Sequence, residues 1–158
     1  MKTHIGLLGP NTTTDEENQL GREIGRHIAE AGAILFCGGL GGMMRAAAEG
    51  AKTAGGQTVG ILPGSDRSDA NEFIDIPIPT DLGAYRNALL VRSCDAVVAA
   101  HGAFGTLSEI AFALRLNIPV VGINTWEVCR DGIPDPGIHV VQTAEEAVAL
   151  ALQLAQSH

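Results

Sequence analysis

Aromatic side chains are scarce in this 158-residue chain, at 4%, with one Trp and one Tyr. Its interior must therefore be built from Ala, Val, Ile and Leu. Positive charge is scarce as well: 10 Lys and Arg stand against 18 Asp and Glu, a formal net charge of −8. A surface that tracks a polynucleotide or an anionic bilayer needs the opposite balance, so neither a nucleic-acid nor a membrane partner is expected. A small phosphorylated ligand is not excluded, because it feels the local loop more than the global charge. No apolar run approaches the roughly 20 residues of a membrane span, and because Met1-Lys2 leads directly into a strand pattern no signal peptide is expected. The three cysteines, Cys37, Cys94 and Cys129, are odd in number and lack metal-ligand spacing. They predict reduced thiols in a cytoplasmic protein and no metal site.

What is abundant is glycine, 20 residues, with a hydrophobic share of 46%. The length and this composition fit one domain over residues 1–158, with many tight strand–helix turns. Strand patterns at Ile5–Leu8, Ala33–Phe36 and Thr58–Ile61 alternate with helical patterns. The first helix opens on a capping box at Thr14-Asp15-Glu16-Glu17, and the second runs from Met43 to Ala54. This βαβαβ order predicts an α/β fold with a doubly wound, mainly parallel sheet and helices on both faces. Phe73–Ile78, with Pro77 inside it and Pro79 directly after, reads as a short edge strand. Asp81–Ser93 reads as a helix with Asp81 as its cap. A strand at Asp95–Ala100 and a helix at Thr106–Asn117 follow. The next strand is Ile118–Ile123, and the Pro/Gly-rich connection after it carries a helical turn around Trp126. The chain closes with a strand at Ile138–Val141 and a helix behind a second capping box at Thr143–Glu146.

Three glycine-containing turns fall at expected carboxyl ends of strands: Gly9-Pro10, Gly38-Gly39-Leu40-Gly41-Gly42, and Gly102-Ala103-Phe104-Gly105. In open parallel sheets, ligands bind beyond those ends, where the strand order reverses. The last turn also opens a helix, whose free N–H groups and positive dipole end suit a phosphate. Glu109 lies one turn into that helix. A carboxylate beside an anion site needs its own reason, such as a ribose hydroxyl or a reacting water. The glycines do not form a clean G-x-G-x-x-G, and no Gly-Lys-Ser/Thr is present, so classical NAD binding and P-loop NTPase chemistry are not expected.

Gly38–Gly42, the pair Arg86-Asn87, and Gly102-x-x-Gly105-Thr106-x-x-Glu109 together resemble the LOG-like proteins, a superfamily that has also carried the label lysine decarboxylase. Within it the molybdenum cofactor carrier branch is the nearer likeness, in order from Ile5 to Ile123. The resemblance implies a Rossmann-like fold, a homodimer or homotetramer, and a nucleotide-type or pterin ligand. It assigns Gly102, Gly105 and Thr106 to the phosphate loop, Glu109 to the motif glutamate and Arg86 to the helix arginine. Glu109 and Arg86 would be the catalytic pair of an N-glycosidic hydrolase acting on nucleoside 5′-monophosphates. Gly9, Gly38, Gly39, Gly41, Gly42, Arg45, Asn87, His101, Ala103 and Phe104 complete the expected ligand-binding set. His101, Ala103 and Asn87 depart from the Pro, Gly and Lys of the catalytic members. With only Lys2 and Lys52 in the chain, decarboxylase chemistry finds no support.

Three readings remain open. One is a binding or carrier protein for a phosphorylated nucleotide-like or pterin ligand, with no cofactor required for chemistry and the molybdenum cofactor or a nucleotide as cargo. The second is a phosphoribohydrolase, and the third an oligomeric ligand-sensing domain.

Overall fold

The structure, a computed structural model, describes residues 1–157. Strand β1 spans His4–Leu8, helix α1 Asp15–Glu30, β2 Ile34–Cys37, α2 Gly42–Thr53 and β3 Gln57–Leu62. They are followed by β4 (Ile76–Pro79), α3 (Arg86–Arg92), β5 (Ala96–Ala100), α4 (Phe104–Arg115) and β6 (Val120–Ile123). The chain ends with the two-residue strands β7 (Cys129–Arg130) and β8 (Ile133–Pro134), then β9 (Ile138–Val140) and α5 (Ala144–Ala155). Seven strands form one sheet in the order β4-β3-β2-β1-β5-β6-β9, every neighbouring pair parallel. This is a single-domain, doubly wound α/β fold. The order reverses between β1 and β5, so the turns after these two strands meet at one crevice, as the sequence predicts.

Each face of the sheet has its own core. On one side, Ile5 and Leu7 of β1 and Ala96, Val98 and Ala100 of β5 pack with Ile24 and Ile28 of α1, Ala47 of α2 and Val148 of α5. On the other, Leu8, Val97 and Ala99 pack with Leu90 and Val91 of α3 and Ile110 and Ala113 of α4. Successive residues of one strand thus feed opposite cores, the period-two consequence of a sheet buried on both sides.

The first capping box forms as expected: Thr14 Oγ1 accepts from the Glu17 N–H at 3.2 Å, and the Glu17 carboxylate accepts from the Thr14 N–H at 3.1 Å. Other expectations need correction. Asp81 is no cap. It sits at φ +55°, and a 3-10 turn at Gly83–Tyr85 intervenes before α3 begins at Arg86. Helix α4 begins two residues earlier than the pattern suggests, with Ala103 as its N-cap and no side-chain cap bond. No helical turn forms around Trp126; the segment instead makes the β7–β8 hairpin. The second box is half present, because Glu146 accepts from the Gln142 N–H, not from that of Thr143.

Candidate ligand-binding cleft

Beyond the carboxyl ends of β1, β2 and β5 lies a cleft of about 410 Å³. Gly9, Pro10, Asn11 and Thr12 line it from the β1–α1 loop, Leu40 and Met44 from around the start of α2, and Arg86 and Asn87 from α3. Ala103, Gly105, Thr106 and Glu109 close it from α4.

The α4 wall is a helix N-terminus with unused donors. Among the described residues, no protein acceptor takes the N–H groups of Phe104, Gly105 and Thr106; the first paired amide of this helix is Leu107, bonded to the Ala103 carbonyl at 3.1 Å. Orphan donors of this kind, at the positive end of the helix dipole, have the chemistry to receive an anion. The turn before them is tightly built. His101 and Gly102 both take positive φ, +51° and +104°. A Cβ on Gly102 would overlap the Thr106 side chain, so Thr106 is buried behind the loop and can present its amide but little of its hydroxyl.

Two charged side chains are buried in the cleft wall. Arg86 donates through Nη1 to the carbonyls of Gly38, at 2.7 Å, and Ile61, and through Nε to the Asn87 side-chain oxygen at 3.0 Å. It therefore ties α3 to the ends of β2 and β3. Burial lowers its pKa, while Glu109 and Cys37 pull it back up. Glu109 is 7% exposed, and its carboxylate has neither a hydrogen bond nor an ion pair within the protein among the described residues. Burial raises its pKa from 4.5 to about 7, opposed only by the charge of Arg86. Asn87 donates to Ser108 Oγ at 2.9 Å, and that hydroxyl donates to the Gly105 carbonyl at 2.7 Å. Asn87 thus braces the first turn of α4.

The other expected residues lie around the cleft instead of in its lining. The Gly38–Gly42 turn is spent on internal contacts: the Gly38 carbonyl receives Arg86, that of Gly39 receives Asn71, and the Gly41 N–H donates to Asn11 Oδ1 at 3.0 Å. Gly42, at φ +58°, lets the backbone press against Pro10 and Asn11. Arg45 faces a neighbouring depression, ion-paired with Glu72 and over the Phe73 ring. His101 turns to Glu17, with Nδ1 3.6 Å from the carboxylate. Phe104 is exposed and stacks on Trp126, whose indole N–H donates to the Ala103 carbonyl at 3.0 Å. A separate cavity of about 360 Å³ beside Trp126 holds none of the expected residues.

Sequence reasoning missed Asn11 and Thr12 as cleft walls. Their only signal is position: they follow β1, one side of the strand-order reversal.

This geometry defines a Rossmann-like α/β protein with a row of backbone N–H groups, unpartnered among the described residues, at its switch point. The sequence model of the SLOG cluster4 family matches residues 2–152, and the chain belongs to that family. An uncharacterized protein of Archaeoglobus fulgidus is 41% identical over 144 residues, covering 91% of each chain. The molybdenum cofactor binding protein of Rippkaea orientalis superposes with a TM-score of 0.88 at 31% identity, covering 98% of both chains. The Moco carrier protein of Chlamydomonas reinhardtii superposes with a TM-score of 0.86 at 34% identity, covering 100% of both. DNA processing protein A of Helicobacter pylori has a TM-score of 0.69 at 16% identity, a likeness of fold alone.

Proposed function

We propose that this protein binds or carries a phosphorylated nucleotide-like or pterin ligand, in the manner of a molybdenum cofactor carrier, with the cofactor as cargo and not as a resident catalytic group. The observation that carries the reading is the run of unpartnered N–H groups from Phe104 to Thr106 at the mouth of a 410 Å³ cleft. They would hold the phosphate, while Pro10, Leu40 and Met44 give apolar surface for a ring system and Asn11 and Asn87 flank it. Its likeness over full length to two proteins named for the molybdenum cofactor supports the same ligand class.

Thermal unfolding with AMP, GMP, ATP and molybdopterin tests this. A ligand that binds only the native state raises its stability by ~2.7 kcal/mol at a hundred times Kd. Selective stabilisation by the pterin, or by one nucleotide, is the expected result. A melting temperature unmoved by all four ligands would remove the proposal.

One observation favours a second reading. A Glu109 carboxyl titrating at about 7 suits a general acid at neutral pH, as a nucleoside 5′-monophosphate phosphoribohydrolase would require. Against it, Arg86 is held by backbone carbonyls, and Asn87 supplies no charge. Free base released from a nucleoside monophosphate by the wild type, and not by Glu109→Gln, would establish the enzyme.

A homodimer or homotetramer belongs to the same proposal. Leu82, Tyr85 and Leu89 are exposed on and just before α3, beside the cleft. Covering them against a second copy would also bring that copy near the ligand, as the ligand-sensing alternative needs. A cytoplasmic location fits three unpaired cysteines, and no described helix is long and apolar enough to cross a membrane.

A further inference from the structure

Glu109 is more than nine-tenths buried, faces the cleft and has no hydrogen-bond or ion-pair partner among the described residues. It lies four residues after Gly105, one helical turn below the free amides of α4. The ionisable groups that face it are few. From α3 there is Arg86, whose Nη1 and Nε are committed to the Gly38 and Ile61 carbonyls and to Asn87. From β2 there is the buried Cys37 thiol, and before β5 the buried Cys94 thiol, both themselves pushed up by burial. The β1–α1 loop and α2 present Gly9, Pro10, Asn11, Thr12 and Met44, none of them ionisable. The His101 imidazole is turned to Glu17. Among the described residues Arg86 is thus the one counter-charge that faces Glu109, acting at a distance and without an ion pair, and burial outweighs that attraction.

We propose that Glu109 enters the complex as the neutral acid and donates its proton to a ligand oxygen, so that the cleft selects a phosphorylated ligand carrying a second oxygen acceptor ~5 Å, one helical turn, from its phosphate. This rests on the anion-site reading above. In the free protein the group already titrates at about 7. An anion on the α4 amides adds a like charge a turn away and pushes the carboxyl further toward its protonated form. Ligand binding above pH 7 then takes up a proton. A site built to accept from a ligand N–H would instead release one.

The test is an NMR titration of protein carrying ¹³C-labelled glutamate, free and at saturating sulfate, an anion that gains or loses no proton between pH 5 and 9. The Glu109 carboxyl is expected to titrate near 7 when free and to move up by about half a unit or more with sulfate, while the Phe104–Thr106 amides shift. Sulfate affinity should fall about threefold or more between pH 6 and 8.5 in the wild type, and stay level in Glu109→Gln. AMP affinity should survive Glu109→Gln, which keeps a donor, and drop in Glu109→Ala. Amides that shift while the carboxyl stays put or moves down would overturn this inference alone. Amides unmoved by sulfate would overturn the anion site and the inference with it.

Discussion

Arg86 and Glu109 line the same cleft as buried groups of opposite charge, and yet they form no ion pair. The guanidinium is turned to the carbonyls of Gly38 and Ile61, where β2 and β3 end. Its first duty is thus to close the sheet end that the ligand would face. The carboxylate, left without a direct bond to the guanidinium, feels only the distant pull of that charge, and burial prevails.

Removing Arg86 should therefore destabilise the protein whether or not ligand is present. Arg86→Met retains length and burial but leaves the Gly38 and Ile61 carbonyls and the Asn87 oxygen without a donor. Stranded buried acceptors cost ~1–3 kcal/mol each, so three of them predict a loss of ~3 kcal/mol or more in urea unfolding of the ligand-free protein. A loss below about 1 kcal/mol would show that these bonds are replaced by water and that the residue acts mainly on ligand.

Glu109 links stability to pH with a definite sign. Its folded pKa, about 7, stands above the ordinary 4.5. The folded protein therefore binds the proton more tightly than the unfolded chain, and this contribution is complete below pH 4.5. It is lost as pH rises from there through 7, a decline of ~3 kcal/mol from this group alone. Glu109→Gln should flatten that slope and leave the variant more stable than the wild type at pH 8. Parallel pH profiles for the two proteins in chemical denaturation would contradict the burial argument.

Much of this architecture is legible before any coordinates. Thr14 and Glu17 declare the start of α1, and the order of apolar runs declares a parallel sheet whose reversal falls between β1 and β5. Local chemistry sufficed there because the contacts are local. It failed where distant contacts decide. Thr106 reads as the first residue of its helix, yet its side chain is buried behind Gly102, and the helix starts two residues earlier, after Ala103. Arg86 reads as a site residue, and its second role, tying α3 to the sheet, goes unseen because the acceptors lie 48 and 25 residues away in the chain. Trp126 suggests a helical turn, but its indole is drawn across to the Ala103 carbonyl.

The apolar strip beside the cleft bears on assembly. Tyr85 is 82% exposed and Leu89 43%, four residues apart and on one side of the α3 segment. If a second copy covers them, the double variant Tyr85→Asp/Leu89→Asp should halve or quarter the mass measured by light scattering at micromolar concentration. The substitutions fall at exposed positions, so the fold should tolerate them, which circular dichroism would check. A wild type that is already monomeric would refute the oligomer proposal.

Gly102, in the turn just before the α4 wall of the cleft, is tightly confined. At φ +104° it holds a conformation that L side chains rarely adopt, and a Cβ there would run into the Thr106 side chain. Gly102→Ala must therefore either strain the loop or push Thr106, and with it the first turn of α4, out of place. Backbone strain of this kind costs ~1–3 kcal/mol. The same displacement moves the Gly105 and Thr106 amides off a common anion, so ligand affinity should fall further than stability does. Ala103→Gly is the matched control, because Ala103 at φ −107° needs no glycine. It should leave both quantities nearly unchanged. Equal effects from the two variants, in urea unfolding and in AMP or sulfate titration, would mean that the loop is not the rigid anion cradle described.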